Sequence, residues 1–188
     1  MRVVSATLGA VVLVFASACD QVPQSTHAES AAMWQRHETL EALVEASDVI
    51  VRARVIDNAE VYSVGSGSAR NLPIYFTDTR VAVERLLKGV APQELLVWQT
   101  GRAGDPGNSF ADLPILKPGS RVLLFLTNIS SDPNHGRGKV KFAIVSPDGL
   151  YEIHSDRLVT VALGTNVTNE AAVSTLQAFE ARVLTTVR

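Results

Sequence analysis

One stretch constrains the fold more than any other: Tyr75-Phe76-Thr77-Asp78-Thr79-Arg80-Val81-Ala82-Val83-Glu84-Arg85-Leu86-Leu87-Lys88-Gly89. Tyr75, Thr77, Thr79, Val81 and Val83 share one parity, and Asp78, Arg80 and Glu84 share the other. Successive side chains of a strand point to opposite faces, so the alternation predicts one long strand with a buried face and a wet face. Thr77 and Thr79 suit either barrel-interior polar residues or plain strand formers, and the second is the expectation. The pattern breaks at Arg85-Leu86-Leu87, and Lys88-Gly89 ends the strand. A strand of this length needs partners, and shorter runs on either side supply them.

Upstream, Val49, Val51, Ala53 and Val55 alternate with Arg52 and Arg54, which predicts a first strand over residues 49–56. Asp57-Asn58 is turn chemistry, with residues 59–64 a candidate continuation and Gly65-Ser66-Gly67-Ser68 a flexible tip. Downstream, residues 94–100 form an apolar run to be buried on both faces or at a barrel seam, and residues 121–126 form the most apolar strand. Val140, Phe142 and Ile144 alternate, Pro147-Asp148-Gly149 turns the chain into residues 150–154, and residues 158–163 are a candidate last strand. Helical spacing occurs only at the ends. Leu40, Leu43 and Val44 predict a short helix over residues 39–46; Leu176, Phe179, Val183 and Val187 predict a final helix capped by Thr168 or Asn169. Six to eight short strands flanked by two helices predict a mainly β domain, a single antiparallel β-barrel (OB-like) or a sandwich. No helix-length pattern separates the strands, which argues against a parallel α/β sheet.

The first residues have a different character. Met1-Arg2 precedes an uncharged run of 16 residues, Val3 to Ala18, ending Ala16-Ser17-Ala18-Cys19. One positive charge, an apolar stretch and a small-residue end predict a signal peptide over residues 1–18, and the run is short for a spanning helix of about 20 residues. Ala16-Ser17-Ala18 suits an ordinary signal peptidase, and the same residues before a cysteine resemble the bacterial lipobox. Both readings cut after Ala18. Cys19 is the only cysteine, so nothing in the chain can pair with it. Lipidation accounts for that solitary thiol, and the expectation is an acylated Cys19 holding the chain to membrane lipid on the extracytoplasmic side. Residues 19–37, polar and without an apolar period over most of their length, then serve as lipid anchor and tether, and residues 38–188 form the β domain.

Charge narrows the partners. Seventeen basic and 19 acidic residues give −2, with no basic stripe, which argues against nucleic acid. His27, His37, His135 and His154 are scattered, so neither a metal site nor a cofactor is expected. His154-Ser155-Asp156 sets three triad residue types side by side, but catalysis needs them to converge from separate points. It reads as a strand running into a turn. The long connection over residues 101–119 holds four glycines and three prolines. Connections of this length are commonly functional. It supplies the candidate ligand-binding residues: Arg102 as a rim for an anion, with Asp105, Asn108 and Phe110 beside it.

Three segments together resemble a known group: Ala46-Ser47-Asp48-Val49-Ile50-Val51-Arg52-Ala53-Arg54-Val55, then Val83-Glu84-Arg85-Leu86-Leu87-Lys88-Gly89, then Leu113-Pro114-Ile115-Leu116-Lys117-Pro118-Gly119-Ser120-Arg121-Val122-Leu123-Leu124-Phe125-Leu126. Their order is similar to that of exported bacterial β domains, often lipoproteins, whose pattern runs ADVVVxGxV, VExVLKG, PxFxPGExYLLFL. The resemblance implies a barrel of the OB-like, netrin-like kind and an envelope address rather than an activity. Tissue metalloproteinase inhibitors share that barrel but chelate zinc through a free N-terminal cysteine, which an acylated Cys19 could not do. The expected function is a membrane-anchored extracytoplasmic module that binds an envelope protein or polymer without catalysis. The alternatives are an envelope hydrolase with a loop-assembled site and a peptidase-inhibitor-like module.

Overall fold

The computed structural model describes residues 36–63, 73–105, 113–133, 138–160 and 166–188. In chain order its elements are α1 (Leu40–Ala46), β1 (Val49–Ser63), β2 (Tyr75–Lys88), β3 (Glu94–Thr100), β4 (Arg121–Asn128), β5 (Lys141–Ile144), a 3₁₀ turn (Pro147–Gly149), β6 (Leu150–His154), β7 (Arg157–Thr160), α2 (Asn166–Val173) and α3 (Leu176–Thr186). No helix among the described residues is long and apolar enough to cross a membrane.

The strands run β1-β2-β3-β5-β4, and β4 returns to β1, closing a five-stranded barrel; β6 and β7 continue outward from β4. Of the two expected architectures the chain adopts the barrel, in the strand order of a Greek-key OB-type fold. Every pairing is antiparallel except β3–β5, where Leu96, Val97 and Trp98 meet Lys141, Phe142 and Ala143 in parallel. Closure pairs β1 with β4 from Val49 to Arg54 and so covers the sheet edges over that length.

Side-chain parity sorts the apolar residues into two cores. Val49, Val51, Ala53 and Val55 of β1 point into the barrel, with Val81, Leu95, Val97, Val122, Leu124, Leu126, Phe142 and Ile144. The opposite parity, Ile50, Leu123 and Phe125, faces outward and is covered by Leu40 and Leu43 of α1, Val167 and Ala171 of α2, and Phe179 and Val183 of α3. Each such Leu or Phe contributes about 1.5–3 kcal/mol when fully buried. Tyr151 joins the layers, its ring 6.1 Å from Phe125 and 5.5 Å from Phe179. Glu180 of α3 is buried and accepts from Arg52 of β1 at 3.0 Å and Arg85 of β2 at 2.6 Å, so the helix is tied to the barrel by charge as well as by grease.

Local chemistry explains the ends of these elements. Thr39 caps α1 by accepting from the Ala42 N–H. Lys88 Nζ donates to the Val44 and Ser47 carbonyls, both at 2.6 Å, which satisfies the far end of α1. Gly89 follows at φ +80°, where an added Cβ would lie 2.1 Å from the Asp48 carbonyl oxygen. Only glycine fits there, so β2 stops at Lys88. The chain already contacts the domain at Arg36: its guanidinium grips the buried Asp148 carboxylate through both oxygens, at 2.8 and 3.0 Å, and the His37 N–H donates to the same group at 3.1 Å.

Several local expectations give way to tertiary context. Asp57-Asn58 does not turn. It lies inside the 15-residue β1, where register shifts between Val55 and Asp57 and between Asn58 and Glu60 absorb the irregularity as bulges and bend the strand. Residues 94–100 are not buried on both faces: Leu95, Val97 and Gln99 are buried while Leu96 and Trp98 are partly exposed. The C-terminal segment makes two helices, with Thr168 and Asn169 inside α2 and Thr175 capping α3 by accepting from the Ala178 N–H. The wet parity of β2 fails at Asp78, whose side chain is 1% exposed and lies 2.6 Å from Lys141 Nζ, itself 0% exposed. The Gly65–Ser68 tip and residues 161–163 lie outside the described residues.

Candidate functional site

The long connection between β3 and β4 crosses one end of the barrel, and the inward polar residues of β2 and β3 hold it there. Thr77 Oγ1 donates to the Gly101 carbonyl at 2.9 Å and accepts from the Ala103 N–H at 3.2 Å. Thr79 Oγ1 lies 3.0 Å from Asn58 Oδ1 and 3.3 Å from Gln99 Oε1. Gln99 then uses both ends of its amide, donating to the Pro114 carbonyl at 2.9 Å and accepting from the Leu116 N–H at 3.1 Å. Thr77 and Thr79 are therefore interior polar groups rather than plain strand formers. Buried polar groups must be paired; Thr77 and Gln99 find backbone partners in the connection, and Thr79 finds the side chains of Asn58 and Gln99.

Leu113 and Leu116 drop into the barrel core and plug this end. Pro114 and Ile115 between them stay partly exposed. Beside the plug lies a cleft of about 470 Å³, lined by Asn58, Arg102, Gly104, Asp105 and residues 114–118. That volume falls within the roughly 300–1,000 Å³ of ligand pockets. Its wall is apolar at Pro114, Ile115, Leu116 and Pro118. Its rim carries two exposed cations, Arg102 and Lys117, and one partly buried carboxylate, Asp105. The Arg102 guanidinium sits 5.1 Å above the centre of the Tyr75 ring, which fixes its position by cation–π attraction. The turn before it is set by Gly101, whose N–H donates to the Tyr75 carbonyl at 2.8 Å.

Of the candidate residues read from the sequence, Arg102 and Asp105 are brought together in this cleft. Asn108 and Phe110 lie outside the described residues, as do Ala18, Cys19 and the whole of the 1–18 leader. Asn58, Ile115 and Lys117 were not singled out. The signal for the last two was present, in the prolines at 114 and 118 that bracket Ile115-Leu116-Lys117. Nothing local marks Asn58, which reaches the site only because a bulge keeps it in β1.

A second cleft of about 390 Å³ lies between α1 and α3, lined by Glu41, Val44, Glu45, Lys88, Thr186 and Val187. Its cation, Lys88, is already committed to the α1 carbonyls. A third cluster joins Asp78, Lys141 and Tyr62, with Lys141 Nζ 3.3 Å from the Tyr62 hydroxyl and 5.1 Å from the ring centre. Phe76 stacks on Trp98 at 5.1 Å beside it. Asp78 and Lys141 are sealed from solvent, and their pairing braces β2 against β5.

Among the described residues no three His, Cys, Asp or Glu side chains stand together as a metal site. His154 lies exposed 3.1 Å from Glu152, and Ser155, at φ 60°, forms with Asp156 the turn between β6 and β7. His27 and His135 lie outside the described residues. The cleft brings one carboxylate and two cations to an apolar wall. No protein-family model, characterised protein or solved structure matches the chain.

Proposed function

We propose that this chain is a lipid-anchored, extracytoplasmic binding module that captures an envelope protein in the cleft beside residues 114–118. The observation that carries the reading is the cleft itself: an apolar wall rimmed by Arg102, Lys117 and Asp105, on backbone held by buried hydrogen bonds. A pre-organised concave surface with a few charged groups at its edge loses little entropy on binding. The Ala16-Ser17-Ala18-Cys19 leader end supports the anchored half of the reading, because two or three acyl chains hold a protein to a bilayer where one does not.

Two measurements test it. Mass spectrometry of the membrane fraction is expected to find the mature N-terminus at Cys19 carrying acyl chains; a product beginning at an unmodified Cys19 removes the anchor. Cross-linking in intact envelopes is expected to capture a partner with the wild type that Ile115→Asp and Arg102→Glu each lose. Val173→Ser, on the exposed end of α2, should retain it. Equal capture by all four proteins would place the binding surface elsewhere.

A further inference from the structure

The cleft has a feature that says how a partner enters it. β4 runs antiparallel to β1 from Val49↔Leu126 to Arg54↔Arg121. The ladder continues one step further through backbone bonds, Val55 N–H to the Ser120 carbonyl at 2.8 Å and the Gly119 N–H to the Val55 carbonyl at 2.9 Å. The next residue back is Pro118, which has no N–H to donate. There residues 114–118 leave β1 and turn over the barrel end, tied down by Gln99. β1 keeps strand geometry to Ser63, yet no described strand pairs with it on this side beyond Val55. Asn58, Lys117 and Pro118 all line the cleft, so it opens where the two segments part.

We propose that an extended peptide from the partner adds to this edge of β1 at residues 56–59, continuing the ladder that Pro118 ends. The inference rests on the cleft being the binding site and names the form of its occupant. In an added strand alternate side chains point the same way. One set would lie on Pro114 and Ile115. The intervening ones would face the rim, where Arg102 and Lys117 outnumber Asp105, so the peptide that fits alternates apolar residues with acidic ones. Four edge residues span about 13 Å at roughly 3.3 Å each, enough for two apolar and two acidic side chains in alternation. The two bulges around residues 55–60 twist the edge, which disfavours flat pairing of two copies of the chain.

The test uses the full ¹⁵N-labelled chain in detergent with two pools of capped octapeptides. One pool alternates Val, Ile, Leu or Phe with glutamate, the other with lysine. The glutamate pool is expected to bind at least tenfold more tightly, to shift the amide signals of residues 56–59, and to slow their hydrogen exchange. N-methylation of alternate backbone amides, which leaves every side chain in place, should abolish the effect. The double variant Arg102→Glu, Lys117→Glu should reverse the preference between pools. Equal binding of N-methylated peptides would overturn strand addition while leaving the cleft as a side-chain site. Failure of both pools with a protein that still captures its partner through Ile115 would overturn it as well. Loss of Ile115-dependent capture removes the underlying reading instead.

Discussion

At the scale of single residues, the groups that matter most are polar ones in places where the sequence pattern predicts water or hydrocarbon. Lys141 and Asp78 are both sealed, and their pairing offsets a desolvation that neither could bear alone. Lys141→Met should therefore destabilise the protein by about 3–5 kcal/mol, since it strands a buried carboxylate. The double variant Asp78→Leu, Lys141→Met should recover most of that loss; urea unfolding of all three proteins decides it. Tyr151 is a different case. Its hydroxyl is buried without a hydrogen-bond partner among the described residues, and burial, aided by the Asp148 charge, pushes its pKa well above the ordinary value of 10.0. The unfolded chain loses this proton above pH 10 while the folded chain keeps it, so the wild type loses stability as pH rises past 10, by about 1.4 kcal/mol per pH unit until the folded group itself ionises. Tyr151→Phe should be neutral or slightly stabilising at pH 7 and should lack that part of the alkaline loss. Denaturant midpoints of the two proteins between pH 7 and 11.5 check both the sign and the window.

At the scale of elements, α3 depends on Glu180 as much as on its apolar stripe. Arg52 and Arg85 reach it from two neighbouring strands, and Glu84 takes up Arg52, Arg54 and Arg121 alongside. Glu180→Gln keeps the shape and removes the charge. It should cost about 1.5–3 kcal/mol, the range for hydrogen bonds to charged groups, seen as a lower midpoint in thermal unfolding. The elements were also the most legible part of the sequence. β2 lies where its alternation places it, and α1, β4 and β6 follow from spacing and from Pro147-Gly149. What sequence could not show was which barrel-facing or outward residues would find partners far along the chain. Thr77 and Thr79 look like ordinary strand residues until the 101–119 connection folds over them. Asp57-Asn58 looks like a turn until two bulges absorb it. Asp78 looks solvated until Lys141, 63 residues later, reaches across β3. Of the nine residues lining the candidate cleft, Arg102 and Asp105 were legible because they are local to the loop, whereas Asn58 arrives by strand register.

At the scale of the whole molecule, the barrel and the layer outside it share β1 and β4, whose two faces serve the two cores. Arg36 is held on Asp148 beside the start of β6, while the cleft opens past Val55 and Ser120 at the end of the barrel away from Asp48 and Gly89. Closure rests on β5, four residues long, joined to β3 and β4 by three register pairs each. A cylinder shut by so short a clasp has a natural place to breathe. Brief unfastening of that seam would free β5 and part the Lys141 bridge while the helix-covered wall stayed shut. Its amides should trade deuterium through partial opening, ahead of those in the middle of β1, which wait for the entire structure to come apart.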